Sequence, residues 1–205
     1  MKQALPTSPV TAERLNPIPT RLRGHAGRPA AVLVGLMADA CGWQVIMTER
    51  APHLAHHAGQ ISFPGGKVDR TDTTLVATAL REANEEIALP AAKVDILGGL
   101  DPVSSPVGFV VQPVVGIVAP QVRLQASPDE VARILILPFA DLISPPRHRR
   151  DSYIREGRRR EVWVIDHPDH YIWGLSAAII VDLAARVGAP SGASDAPLTP
   201  PQQGV

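Results

Sequence analysis

Apolar positions run along this chain in two rhythms, and the change from one to the other predicts its architecture. Residues 29–38, "PAAVLVGLMA", are an unbroken aliphatic run that ends at the turn signal "DACG". A run of that length predicts a buried strand. Residues 43–50, "WQVIMTER", supply its hairpin partner. "ISF", "VDILGGL" and residues 109–119, "FVVQPVVGIVA", predict further strands. Over residues 73–87 the rhythm becomes helical. Leu75, Ala79, Ala83 and Ile87 recur at four-residue steps and form one apolar stripe. Asp72 or Thr73 is placed to cap this helix, and Pro90 to stop it. "PFADLIS" predicts a short helix, and residues 174–188, "GLSAAIIVDLAARVG", a second long one ended by glycine.

The intervening segments lack either period. "APHLAHHAGQ" predicts a loop, and "SPDEVARILILP" a turn into a strand or short helix. "PPRHRRDSYIREGRRREVWVIDHPDHYIW" predicts a loop and then a hairpin turning at "EGR". The order of strands, helix, strands, helix is α+β or mixed α/β rather than a regular βαβ repeat. One domain over residues 29–188 is expected. A polar, proline-spotted arm over 1–28 precedes it, with at most one short helix near residues 11–15. A proline-rich flexible tail over 189–205 follows.

Composition narrows the function. The 20 basic and 20 acidic residues balance, so the footprint of a dedicated nucleic-acid binder is missing. The single cysteine, Cys41, excludes an internal disulfide, favours a reducing compartment and reads as a half-buried turn residue. The N-terminus has no apolar signal core, and no apolar run reaches the ~18 residues that span a membrane. A soluble, cytoplasmic protein with no membrane partner is expected.

Against that balance, "REANEE" at residues 81–86 stands out. On a helix, Glu82, Glu85 and Glu86 sit at i, i+3 and i+4 and share a face, while Arg81 lies four residues before Glu85 and can pair with it. Close carboxylates repel, so either the face is solvated or a cation neutralises it. A hard divalent ion takes one or two carboxylates together with waters and substrate phosphate oxygens. No zinc-like Cys/His spacing competes. Upstream, "FPGGKVD" supplies two glycines that permit close backbone approach to a metal or phosphate, and Lys67 adds positive charge.

With these residues in place the chain resembles the Nudix hydrolases. Their signature is a Gly, five residues, a Glu, seven residues, then Arg-Glu-apolar-x-Glu-Glu-x-Gly-apolar. Gly66 matches the glycine and "REANEEIAL" the end. Asp72 stands for the first Glu, one extra residue precedes Arg81, and Ala88 replaces the last Gly. A longer stretch, "VIMTERAPHLAHHAGQISFPGGKVDRTD", resembles the segment marking coenzyme A pyrophosphatases within the group. Thr48, Arg50, Ala51, Gly59, Phe63, Pro64, Gly65 and Gly66 fit it, while Ala55 stands where that pattern has a second Arg. "SPDEVA", "HRR" and "YIWGLSA" also look like that subgroup, so the resemblance spans about residues 30–188.

The resemblance implies an α/β/α sandwich with a mixed central sheet and a loop-helix-loop metal site. It implies Mg²⁺- or Mn²⁺-dependent hydrolysis of a nucleoside diphosphate derivative, coenzyme A for the subgroup, and a homodimer. Glu82, Glu85, Glu86 and the Gly66 carbonyl are then the metal ligands. Glu82 and Glu130 are the candidate bases, with Arg81 beside them. Arg50, Gly65, Gly66 and Lys67 are the candidate phosphate contacts, Arg50 because a guanidinium matches phosphate oxygens bidentately. Ala55 keeps ADP-ribose, NADH or a modified nucleotide open as substrate, and a non-catalytic binding module is the remaining reading. The loop residues His53, His56 and His57 read as solvated, with substrate contact the alternative. The basic runs "HRRD" and "GRRRE" read as a solvated hairpin that could attract an anionic ligand. Tyr171 and Trp173 at the entry of the last helix read as core packing or a dimer contact rather than adenine stacking.

Overall fold

The computed structural model describes residues 8–22, 24–54, 57–155 and 157–188. The proposed tail, the first seven residues of the arm, Ala55, His56 and Glu156 of the hairpin turn lie outside the described residues.

The aliphatic run forms β1 (Arg28–Asp39), which turns through Ala40 and Cys41 into β2 (Gly42–Arg50). Cys41 is exposed in that turn rather than half-buried, because it sits at the tip of the hairpin. β1 pairs antiparallel with β2 and, from Arg28 to Met37, parallel with β7 (Phe109–Val118). β7 in turn pairs antiparallel with β5 (Val94–Gly99) and β6 (Val103–Ser104). At the other side, β2 pairs with β8 (Val131–Pro138) and with the short β3 (Ile61–Ser62). The result is an eight-stranded mixed sheet in which only β1 and β7 run parallel. "SPDEVARILILP" therefore resolves to a turn and a strand.

One of these strands left no sequence signal. β4 (Gly65–Lys67) pairs antiparallel with β1 at Ala30–Val32. "GGK" has neither β-branched residues nor alternation, so it reads as a loop. It is a strand because its glycines let two backbones meet. A Cβ on Gly65 would overlap the Ala31 carbonyl and lie 2.6 Å from the Val32 Cα.

β1 has apolar side chains on both faces, and each face feeds a separate core. Ala31 and Leu33 face α1 (Leu75–Ile87), whose stripe of Leu75, Ala79, Ala83 and Ile87 is 0–2% exposed. Burying Leu75 and Ile87 contributes about 1.5–3 kcal/mol each. Val32, Val34 and Leu36 face the other side, with Ile179, Ile180 and Leu183 of α3 (Leu175–Val187) and Phe139 and Leu142 of α2 (Phe139–Leu142). The molecule is thus helix, mixed sheet, helix, as the resemblance implied.

The basic hairpin forms β9 (His148–Arg155) and β10 (Arg158–Asp166). Tyr171 and Trp173 lie on a third strand, β11 (Tyr171–Trp173), that leads into α3 instead of sitting on the helix. Before β1 a short 3-10 turn at Ala12–Arg14 is present, and the segment around it packs on the domain. Val10 and Leu15 join the core, and Asn16 exchanges two 2.8 Å backbone hydrogen bonds with Gly99. No helix among the described residues is long and apolar enough to cross a membrane.

Candidate functional site

α1 starts at Leu75, the first residue of its stripe and two residues after the start of the expected helical rhythm. Thr74, in extended conformation, caps it by accepting from the Ala77 N–H at 3.0 Å. Neither Asp72 nor Thr73 does so, because Asp72 is taken by stronger donors. Its carboxylate accepts from Arg81 Nε and Nη2, both at 3.0 Å, from Thr78 Oγ1 at 2.9 Å and from the Asp69 N–H at 2.9 Å. The Arg81 guanidinium above all, helped by those two donors against the cost of burial, holds Asp72 down at about 2. The extra residue before Arg81 and the shorter Asp side chain are compatible with this contact. The signature's departure therefore leaves the acid and the arginine joined.

Arg81 also organises its neighbours. It reaches Glu85 at 2.8 Å, Glu82 at 3.1 Å and the Lys67 carbonyl at 3.0 Å. One planar fork thereby ties the acidic loop, β4 and two of the three clustered carboxylates together. The pairing of Arg81 with Glu85, expected from their spacing, is present. It also separates the cluster, since Glu85 is half exposed and turned to Arg81 while Glu86 is buried.

Glu82 and Glu86 point into the structure. Gly66 abuts the Glu82 carboxylate so closely that a Cβ there would overlap it. Burial, joined by repulsion from Glu82 and Glu130, pushes the Glu86 carboxyl up to about 8. Arg50 and a hydrogen bond from the Gly65 backbone offset part of that rise. Burial also raises Glu82, with Glu85 and Glu130 adding to it and Arg81 opposing it. Glu130 comes from the turn before β8. That turn is anchored on the end of α1, because the Ser127 N–H donates to the Glu86 carbonyl at 2.8 Å. Glu82, Glu86 and Glu130 are thus brought within electrostatic reach of one another.

Arg50 stands at the end of β2, at a register shift between Glu49 and Arg50. Its Nε is buried without a hydrogen-bond partner, and its charge acts on Glu86. Lys67 offers its carbonyl to Arg81 and leaves its side chain exposed. Among the loop histidines, His53 reaches the Asp129 carbonyl at 3.1 Å and His57 is exposed. The basic hairpin pairs part of its charge internally, while Arg149 Nε is buried without a hydrogen-bond partner. Arg149 pairs with Asp151 at 3.1 Å, and Arg150 stacks 4.1 Å from the Trp163 ring centroid. Tyr171 and Trp173 stack on each other at 6.4 Å. The sequence offered no pointer to Thr78, a buried hydroxyl in an otherwise apolar stretch whose partner is distant in the pattern.

An all-oxygen donor set suits Mg²⁺, Mn²⁺ or Ca²⁺ rather than a soft metal. Among the described residues, no group of three or more His, Cys, Asp or Glu side chains is arranged to hold a metal ion. The fit lies elsewhere. Two carboxylates are buried together with raised proton affinity, and one of them is packed on a glycine that leaves no room for a side chain. A cation bound by few protein ligands relieves that repulsion.

Comparison with known proteins shows the family. The NUDIX domain family model matches residues 27–156. An uncharacterized Nudix hydrolase NudL of Klebsiella pneumoniae is 43% identical over 177 residues, covering 85% of this chain and 90% of that protein. Its namesake from Cronobacter sakazakii is 44% identical over 161 residues, covering 78% and 83%. The crystal structure of the Nudix hydrolase RenU from M. smegmatis aligns with a TM-score of 0.48 at 21% identity, over 62% of this chain and 80% of that one. Nudix hydrolases generally use divalent metal ions. From the family match and from relatives above 40% identity over most of both lengths, this chain belongs to the Nudix hydrolases, enzymes that cleave phosphorus anhydrides.

Proposed function

We propose that this chain hydrolyses the diphosphate linkage of coenzyme A or an acyl derivative with Mg²⁺ or Mn²⁺, giving 3′,5′-ADP and 4′-phosphopantetheine or its acylated form. Glu82 against Gly66 and Glu86 against the Gly65 backbone, with the charge of Glu130 acting on both, carry the reaction class. The segment "HAGQISFPGG" supports the substrate, because it resembles the stretch that marks coenzyme A pyrophosphatases.

Glu82, Glu85, Glu86 and the Gly66 carbonyl would hold the ion or ions. When bound, the metal neutralises the phosphate oxygens and acidifies water. The chain supplies the rest. Glu130 takes the proton of the attacking water, a contribution of about 10²–10⁴-fold. Glu82 is the alternative base, but it is already paired with Arg81, whereas Glu130 is exposed and free of that arginine. Water oxygen bonds to one phosphorus, and the bridging oxygen leaves with the other phosphate. Arg50 presents a guanidinium with an unpartnered Nε to the phosphates, and Lys67 adds charge at the rim. Arg81 positions the ligands rather than meeting substrate. The same reading expects a cytoplasmic enzyme and a homodimer, the latter measurable by sedimentation.

The test is a panel of coenzyme A, ADP-ribose, NADH and deoxynucleoside triphosphates, each incubated with Mg²⁺ or Mn²⁺ and resolved into products. Coenzyme A is expected to give the highest kcat/KM and to yield 3′,5′-ADP. Absent turnover of coenzyme A, or turnover no better than the others, would sink the substrate assignment and leave the Nudix chemistry standing.

A further inference from the structure

We propose that His53 is a positioning residue for Glu130, its ring fixing the peptide from which the Glu130 carboxylate projects. This rests on the reading of Glu130 as proton acceptor.

The turn before β8 needs such a support. Residues 128–130 are exposed, so no core packing holds them. On one side the turn is tied to α1. The Ser127 N–H donates to the Glu86 carbonyl, and the Ser127 carbonyl accepts from Glu130 and Val131 at 3.1 and 2.8 Å. That tether leaves the outer peptide groups, the carbonyls of Asp129 and Glu130, to be held from elsewhere.

Both are held by the turn that follows β2. The buried Ala51 donates its N–H to the Glu130 carbonyl at 2.9 Å, and His53 Nε2 meets the Asp129 carbonyl at 3.1 Å. An Nε2–H donates in this pair, since a carbonyl can only accept. The supporting turn is itself stiff. Pro52 fixes one backbone angle, and the Leu54 N–H closes the turn on the Ala51 carbonyl at 3.3 Å. Arg50, just before it, is locked by backbone bonds to Gln60 and Gly59. Consecutive carbonyls on either side of the Glu130 Cα are therefore clamped to an element that starts at Arg50. The clamp sets the separation between Glu130 and the Glu82–Glu86 pair, on which its charge acts. His53 is its one side-chain member, and so its one adjustable part.

Small displacements of a catalytic group lower kcat steeply, by as much as about 100-fold for roughly 1 Å. Removing one of two clamping bonds is expected to do less. Steady-state kinetics should be measured with coenzyme A and Mn²⁺, or with ADP-ribose should coenzyme A not turn over. The variants are His53→Ala, His53→Gln, Glu130→Gln and the double variant His53→Ala/Glu130→Gln. His53→Ala is expected to lower kcat about tenfold with KM nearly unchanged. His53→Gln is expected to recover most of that rate, because its amide N–H can reach the same carbonyl. In the Glu130→Gln background, His53→Ala is expected to add no further loss. Full activity of Glu130→Gln overturns the base assignment, and the positioning role with it. A crippled Glu130→Gln with an unaffected or fully additive His53→Ala overturns the positioning role alone. A raised KM at constant kcat in His53→Ala would put the ring on substrate and overturn the role as well. If His53→Ala folds poorly, the comparison of His53→Gln with wild type decides.

Discussion

Asp72 and Glu86 flank one helix and are almost equally buried, at 7% and 3% exposure, yet the fold treats them oppositely. Asp72 accepts from a guanidinium, a hydroxyl and a backbone N–H, and stays ionised far into acid. Glu86 is raised first by its removal from water and then by two other carboxylates, with only partial help from Arg50 and Gly65, so it holds its proton near neutrality. Burial alone therefore does not decide charge; the inventory of partners does. A carboxylate with a full set of donors is part of the scaffold. A buried carboxylate short of them needs more positive charge than Arg50 supplies. Arg81 sits on the boundary, satisfying Asp72 completely and leaving Glu86 alone.

Exchanging the two acids for their amides breaks that comparison most sharply. Glu86→Gln is expected to lower kcat/KM by at least about 100-fold, since several kcal/mol of charge stabilisation come from a bound metal. Its melting temperature without metal at pH 8 should stay level or rise, because the amide carries no charge to desolvate. Asp72→Asn should do the reverse, melting earlier and keeping most activity at a permissive temperature. Equal activity losses in the two would remove the distinction. Arg81→Lys comes next. A lysine cannot reproduce the bidentate contact, and an unpaired buried Asp72 costs about 3 kcal/mol, or roughly 6–12 °C in Tm for a chain of this size. A shift below about 2 °C would show that Asp72 finds other partners.

The same contrast has a pH signature of opposite sign. Asp72, depressed to about 2, contributes stability that is present above the ordinary carboxylate range and is lost as pH falls toward 2. Glu86, raised to about 8, keeps its proton in the folded chain where the unfolded chain has released it. Between about pH 4.5 and 8 the unfolded state then binds fewer protons, so stability falls as pH rises. Melting curves with a chelator at pH 5, 6, 7 and 8 should slope downward. Glu86→Gln should flatten the slope, and Mn²⁺ should restore stability at pH 8. A slope untouched by Glu86→Gln would assign it to another group.

The helix–sheet–helix plan was legible because β1 and α1 advertise themselves, one by an unbroken aliphatic run and the other by a four-residue apolar step. Glu82, Glu85 and Glu86 were legible as a cluster for the same reason, since helical spacing follows from sequence. Which of them would turn inward was not, because that depends on Arg81 capturing Glu85. β4 escaped because its pairing rests on glycines whose merit is the side chain they lack. The Asp72–Thr78 bond and the His53–Asp129 contact escaped because loop geometry, not periodicity, joins them. The approach of Glu130 was suggested only by resemblance, and its physical cause is the Ser127 tether to the end of α1.

The smallest expected effect concerns how α1 ends, beside Glu86. Ala88 adopts φ 53°, ψ 31°, the left-handed region, and is exposed. Its N–H donates to the Asn84 carbonyl at 2.9 Å, and the Leu89 N–H to the Ala83 carbonyl at 3.3 Å. The first of these, from the left-handed residue to the carbonyl four residues back, is the αL motif, in which glycine is the usual left-handed residue. Alanine keeps the geometry here because Leu89, 1% exposed, is anchored in the α1 core and forces the reversal. The cost of a Cβ in this region is about 1 kcal/mol. Ala88→Gly is therefore expected to raise stability by about 0.5–1 kcal/mol, net of the freedom that glycine adds to the unfolded chain. It should leave kcat unchanged, because Ala88 contributes no side chain to the carboxylate cluster. Chemical denaturation would read the gain as a higher midpoint at constant m-value. A lower midpoint would mean that the alanine methyl makes a contact worth more than the strain. A changed kcat would mean that the end of α1 sets the position of Glu86 as firmly as its burial does.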